Sequence, residues 1–191
     1  MIFPILMLLQ VAGGSAAPAG TPPVHHAAEW TVAAGYADSV GLFQSTAGRS
    51  YAVQTVSWSR QLTPDRGPGI VRGSFAWGIE VTPVFAQLTP SHMYGVGFAP
   101  VVWRWNFTPH TKWSMFGELS MGGLWTTEPL PEDTGRLNFS AHWGGGVRLF
   151  PRSRNALLVG YRFQHFSNGN QFSDNPGVNS HVFLAGWSHR S

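Results

Sequence analysis

The chain has 191 residues, a formal charge of +3, 11% charged residues, 14% aromatics, 23 glycines and no cysteine. So few charges cannot furnish the surface of a soluble helical protein, and no basic run exists to hold nucleic acid. Past residue 12 no apolar run approaches the roughly 20 residues that a membrane helix needs, and thiol chemistry is unavailable.

The chain opens MIFPILMLLQVAGGSAAPAG. An apolar run to Leu9, then small residues and Ala17-Pro18-Ala19, predict a signal peptide over 1–19 with an A-x-A cleavage site, although a basic n-region is missing. One domain over 20–191 follows, its short tail carrying His25 and His26 as solvated residues.

From there apolar residues recur at every second position, the signature of strands with one greasy face. Trp30, Val32 and Tyr36 begin the pattern. Val71, Phe75, Trp77, Ile79 and Val81 alternate with Arg72, Ser74, Ala76, Gly78 and Glu80. Trp113, Met115, Leu119, Met121 and Trp125 alternate with Ser114, Glu118, Ser120 and Gly122, and Leu137, Phe139, Trp143, Val147 and Leu149 with Asn138, Ser140, His142 and Arg148. Segments 50–61 and 94–107 have mixed faces, with Pro100 marking a bulge in the second. The last, 180–189, is too apolar on both faces to orient.

Eight strands result, near 29–40, 50–61, 69–86, 94–107, 112–127, 137–150, 154–168 and 180–189. The connectors TPH and PRS are tight and TPDRGP somewhat longer. GLFQSTAGR, QLTPSH, PLPEDTGR and GNQFSDNPGVN form a generally longer set on the opposite side. Greasy alternate positions and this loop asymmetry predict an all-β, eight-stranded antiparallel transmembrane barrel of the outer membrane. A soluble lipocalin-like barrel would reverse the faces, putting apolar residues inside. Eight strands leave room for side chains and not for an aqueous channel, which excludes a general porin. Arg72, Glu80, Glu118, His142, Arg148 and Arg162 fall on the inward face, where they are expected to pair as a plug.

The seventh strand ends in YRFQHFSNGNQ. Its phase puts Leu157, Val159, Tyr161, Phe163, His165 and Ser167 on one outward face, and Arg162 and Gln164 in the lumen. With both termini periplasmic, His165 and Ser167 lie at the external rim, facing lipid. Serine becomes a nucleophile beside a base, and histidine is the usual one. At about 3.3 Å per residue their Cα atoms stand roughly 6–7 Å apart on one face. Asn168 and Gly169 are placed to aim backbone N–H groups at an oxyanion. Read blandly, His165 is an interfacial anchor and Ser167-Asn168 begins a turn. Metal ligation by His165, Asp174 and His181 matches no standard spacing.

At HFSNGNQFSDNPGVNS the chain resembles the PagL-type lipid A 3-O-deacylases, the acyloxyacyl hydrolases of the Gram-negative outer membrane. The matching features are His165-x-Ser167-Asn168, an Asn175-x-Gly177 loop and the closing strand, and GVGFAPVVWRW resembles that family's fourth strand. The resemblance implies a barrel that removes the ester-linked acyl chain at position 3 of lipid A, using a Ser-His-Glu triad on its lipid-facing wall. It assigns Ser167 as nucleophile, His165 as base, Asn168 with Gly169 as the oxyanion region, and Asn175 as a residue shaping that region. The partner implied is lipid A or lipopolysaccharide of the outer leaflet, with no cofactor and no metal. The family's acid aligns with Asn179. An amide holds an imidazole's orientation, as in Cys-His-Asn sites, without supplying charge. A slower enzyme is expected, and Asn179→Glu is expected to raise the rate. Asp174, Glu132 and Asp133 are the other acids within reach of the rim. The alternative is a non-catalytic structural or adhesion barrel, which the missing acid favours and the H-x-S-N segment opposes.

Overall fold

The computed structural model describes residues 27–191 other than 111, 133, 152 and 172–174. The expected leader over 1–19, His25, His26, Asp133 and Asp174 lie outside the described residues. The rest forms eight antiparallel strands: β1 (Ala28–Val40), β2 (Ser50–Gln61), β3 (Gly73–Thr89), β4 (Met93–Phe107), β5 (Trp113–Thr126), β6 (Leu137–Leu149), β7 (Asn155–Ser167) and β8 (Val178–Arg190). Each pairs with its sequence neighbour, and β1 pairs with β8 to close the barrel. Closure removes every free edge, which strands in hydrocarbon require.

The start of β1 and the end of β8 lie at one rim, since Glu29 pairs with Arg190. The links 41–49, 90–92, 127–136 and 168–177 lie at the other, the loop end. Two expectations fail here. The predicted start of the third strand at 69 is instead a 3-10 turn, Gly69–Val71, because Pro68 interrupts the ladder before Gly73. Arg72 therefore caps that turn, exposed, and its carbonyl accepts the Thr108 N–H at 2.8 Å; it is no part of the lumen. The loop-length pattern also breaks. Link 62–72 at the terminal rim is long, whereas β3 runs on to Thr89 and leaves only 90–92 at the loop end. The bulge foreseen at Pro100 is present, as a register shift between Phe98 and Val101.

The outer wall is apolar. Trp30, Val32, Trp113, Met115, Met121, Trp125, Leu157, Val159, Phe183 and Trp187 are all exposed. Trp113 and Trp125 stand at opposite ends of β5, and Tyr36 and Tyr94 join the ring at the loop end, the aromatic girdles of a membrane barrel. The faces are thus those of a barrel in lipid and not of a soluble carrier.

The lumen is filled. Arg162 grips Glu80 through two bonds of 2.7 Å and reaches Glu118 at 2.6 Å, and Arg104 holds the other Glu118 oxygen at 2.9 Å. Nearer the termini, Arg148 and Arg190 share Glu29. Beneath the loops the interior turns apolar, with Tyr51, Phe85 and Phe166 in mutual ring contact. Two cavities around the Glu80–Arg162 pair hold about 20 Å³ and 30 Å³, room for single waters only, and a wider polar mouth of about 250 Å³ opens at the terminal rim beside Arg148 and Arg190. The middle of the barrel thus has no room for an acyl chain among the described residues.

Candidate active site on the outer wall

His165 and Ser167 stand on the outward face at the loop end of β7, as their phase required, both half-buried. The register gives each a neighbour. Ser167 lies opposite Phe139 of β6, and His165 lies between Ala141 of β6 and Asn179 of β8. Ala141, the small residue opposite His165, stands between Phe139 and Trp143 on the same face of β6.

Asn179 is the cross-strand partner of His165, and its Oδ1 sits 2.7 Å from His165 Nδ1. The amide's other end is also committed. Asn179 Nδ2 donates to the Leu42 carbonyl at 2.7 Å. Because the NH₂ faces a carbonyl, the oxygen must face the ring, so the ring donates from Nδ1–H, and in the neutral imidazole the lone pair then falls on Nε2. That is the tautomer a general base needs.

Leu42 belongs to the first outer link, 41–49, which folds across β8. The Leu42 carbonyl also accepts the Ser45 N–H at 3.1 Å, and Ser45 Oγ donates to the Val40 carbonyl at 2.8 Å. Two non-glycine residues in the left-handed region, Phe43 (φ 53°) and Gln44 (φ 64°), close this turn. Further along, the Thr46 N–H donates to the Gly177 carbonyl at 3.1 Å. The two loops flanking Asn179 are thereby stitched together, and Asn179 is only 2% exposed.

Gly177 packs against the imidazole. It has φ 66°, and a Cβ there would stand 3.0 Å from His165 Cε1 and from the Phe166 carbonyl. No side chain fits that position without displacing the ring. Gly169, with φ 65°, lies against the Phe139 ring in the same way.

The Asn168 N–H, one of the two expected oxyanion donors, donates to Asn175 Oδ1 at 3.0 Å. Asn175 Nδ2 in turn donates to Asn170 Oδ1 at 3.0 Å. Asn175 therefore shapes the turn after Ser167 by holding its backbone, and the Gly169 N–H is the backbone donor next in line.

Of the other acids weighed for the third position, Glu132 ion-pairs with Arg49, which also donates to Gln87 at 3.2 Å, on the lumen side of the loops. That bond holds the Glu132 carboxyl below the usual carboxylate range. His181 does not join His165; its Nδ1 is 2.6 Å from the Tyr161 hydroxyl. What sequence reasoning missed is the Leu42 carbonyl, a main-chain group that no side-chain pattern reveals.

A family profile described as lipid A 3-O-deacylase (PagL) matches residues 46–188. Among solved structures, the outer membrane enzyme PagL superposes with a TM-score of 0.58 at 18% identity, over 83% of this chain and 97% of that one. Neisserial surface protein A does so with a TM-score of 0.61 at 13% identity, over 85% and 97%. The outer membrane protein OprG from Pseudomonas aeruginosa follows with 0.50 at 7% identity, over 87% and 97%. Identities this low carry the barrel and not its chemistry. Among curated proteins none matches.

Proposed function

The chain belongs to the lipid A 3-O-deacylase (PagL) family, and from that premise we propose that Ser167, His165 and Asn179 carry its ester hydrolysis. It is an outer-membrane enzyme that removes the acyl chain esterified at position 3 of lipid A. In the proposed arrangement the loop end of the barrel faces outside, so the dyad meets lipid A in the outer leaflet.

The steps follow from the side chains. Ser167 Oγ bonds to the ester carbonyl carbon while His165 Nε2 takes the hydroxyl proton. The ring, now an imidazolium, is held through Nδ1–H by Asn179 Oδ1. The carbonyl oxygen becomes an oxyanion, for which the Gly169 N–H is the proposed donor. The tetrahedral centre then breaks its bond to the sugar oxygen, which leaves with the proton from Nε2. Water attacks the acyl-serine, giving its proton to Nε2, and the fatty acid departs as Ser167 recovers its hydrogen.

The observation that carries this reading is the 2.7 Å bond from the imidazole to an amide whose own orientation Leu42 fixes. It prepares Nε2 as a base on the lipid-facing wall two residues from a serine. Mass spectrometry of lipid A from cells carrying wild type or Ser167→Ala tests it. Loss of the deacylated species with a heat-modifiable, folded barrel is expected. Deacylation retained in Ser167→Ala sinks the assignment, and no deacylation by wild type favours the non-catalytic barrel.

A further inference from the structure

The rim opposite the dyad, where β1 begins and β8 ends, differs from the loop end in charge. Arg60, Arg66, Arg72, Lys112 and Arg154 are all exposed there, and Asp65 is the one exposed acid among the described residues of that rim. At the loop end the balance reverses, with exposed Asp38, Glu128 and Glu132 against exposed Arg136. The polar mouth of about 250 Å³ opens at the cationic rim. It is lined by Asn106 of β4, Ser114 of β5, Arg148 of β6 and Arg190 of β8, with Asp65 of the 62–72 link also on its wall.

The ion pairs inside the barrel leave this mouth with surplus charge. Arg104 and Arg162 balance Glu80 and Glu118, but Glu29 alone faces both Arg148 and Arg190. The unspent hydrogen-bonding capacity is also of one kind. Arg148 Nη2 donates to both Glu29 oxygens and Nη1 to Asn106 Oδ1 at 3.3 Å, while its buried Nε–H has no acceptor among the described residues. Arg190 spends Nε on Glu29 at 3.1 Å and Nη1 on the Pro151 carbonyl at 3.4 Å, which leaves Nη2. With its oxygen toward Arg148, the Asn106 amide turns its NH₂ elsewhere. The buried Ser114 hydroxyl is likewise unmatched among the described residues. Donors and one positive charge are left over, and a buried donor without an acceptor is costly.

We propose that the terminal mouth is a binding site for a phosphate-type oxyanion. A tetrahedral oxyanion offers acceptors in several directions, which suits donors arriving from four strands better than a planar carboxylate does. Its charge matches the surplus that Glu29 leaves. Arg190, whose side chain is 32% exposed, is the first donor an entering anion meets. The cations around the rim raise the local anion concentration. Asp65, which accepts the Thr108 hydroxyl at 2.9 Å, opposes the anion and keeps the affinity modest. A soluble phosphate compound and a phospholipid headgroup at this rim carry the same chemistry. The site lies at the far end of the barrel from Ser167 and does not depend on the deacylase reading.

The test is calorimetric titration of inorganic phosphate into the folded barrel, held in a non-ionic detergent at fixed ionic strength. One saturable site is expected. Arg190→Gln should weaken it roughly tenfold, the lower end of what one hydrogen bond to a charged group is worth. Asp65→Asn should tighten it about threefold, the size of one screened repulsion across a wet opening. Arg60→Gln, at the same rim but outside the mouth, should leave it unchanged. Misfolding cannot tighten binding, so the Asp65 variant decides the matter even where Arg190→Gln fails to fold. Repeating the titration in micelles doped with phosphatidylglycerol, against an equal fraction of oleate, separates the two sources. Competition by the phospholipid beyond that of oleate assigns the site to a headgroup, and equal effects assign it to a soluble phosphate. No saturable binding, an equal loss in Arg60→Gln and Arg190→Gln, or an affinity unchanged by Asp65→Asn overturns the proposal.

Discussion

Asn179→Leu is the perturbation that separates an orienting amide from a bystander. Leucine keeps the shape and removes both of its bonds, to His165 Nδ1 and to the Leu42 carbonyl, each 2.7 Å long. In the proposed mechanism the ring gains a positive charge as it takes the Ser167 proton. The bond that Asn179 accepts is then one to a charged group, worth about 1.5–3 kcal/mol. At about 1.4 kcal/mol per factor of ten, kcat should fall roughly 10- to 150-fold. The amide is covered by the first loop, 2% exposed, and makes no contact with bulk lipid, so KM should stay put. Initial rates of fatty acid release from lipid A in mixed micelles, measured on folded barrels, give both constants. A loss in kcat of less than about threefold, or one confined to KM, refutes the reasoning.

The same geometry bears on the glutamate expected to help at this position. A carboxylate adds charge opposite the imidazolium, but it brings no donor for the Leu42 carbonyl and sets an anion against that oxygen. Asn179→Asp should therefore fail to raise the rate, and the gain expected of a glutamate requires the 41–46 turn to move as well.

Other residues make separate claims. Gly177→Ala puts a methyl 3.0 Å from His165 Cε1 at a left-handed φ; stability should fall by about 1–2 kcal/mol and deacylation by much more than the folded fraction, read by thermal melting and rate on one sample. Glu118→Gln strips the charge shared by Arg162 and Arg104 in the sealed lumen; it should cost about 3–5 kcal/mol in urea unfolding, and a barrel of unchanged stability would contradict the network. For Glu132 the folded carboxyl lies below its ordinary value of 4.5, owing to its bond with Arg49. The pair thus contributes above 4.5 and is lost as pH falls through the lowered value, weakly because Glu132 is largely exposed. Pepsin nicking within 127–136 should rise over that acid range in wild type and show no such step in Arg49→Met.

How far the sequence speaks depends on whether one face keeps one polarity along a whole strand. β5, β6 and β7 do so on their outer face, and their alternation located them within a residue or so. β2 does not. Its inward residues are Tyr51 and Val53 under the loops but Ser57 and Ser59 toward the termini, so the face changes character midway. β8 looked apolar on both sides for the same reason, since Val178, Val182 and Leu184 join the apolar cap while Phe183 and Trp187 meet lipid. In the site, the phase of β7 placed His165 and Ser167, and only the family resemblance pointed to Asn179. The Leu42 carbonyl was out of reach because backbone groups have no residue code. Tyr161 and His181 meet diagonally, through a β7–β8 register that neither strand states alone.

The amide at 179 suits the place where it stands. A carboxylate buried against a lipid-facing wall needs its charge compensated at all times, and a neutral imidazole beside it, the form a general base requires, supplies no such charge. The described hydrogen-bond partners of the Asn179 side chain are that ring and the Leu42 carbonyl, one donor and one acceptor, neither of them a fixed cation. A neutral group with one acceptor and one donor end satisfies both without a stray charge, whereas an unpaired buried carboxylate would cost several kcal/mol or take up a proton. The cost of the amide is deferred to the moment the ring becomes charged, where it shows as a slower chemical step. Resting stability and turnover thus pull this position in opposite directions, and the turn that presents Leu42 sets the balance. Asn179→Glu combined with a shortened 41–46 turn that takes the Leu42 carbonyl away should outpace wild type, while either change alone should not.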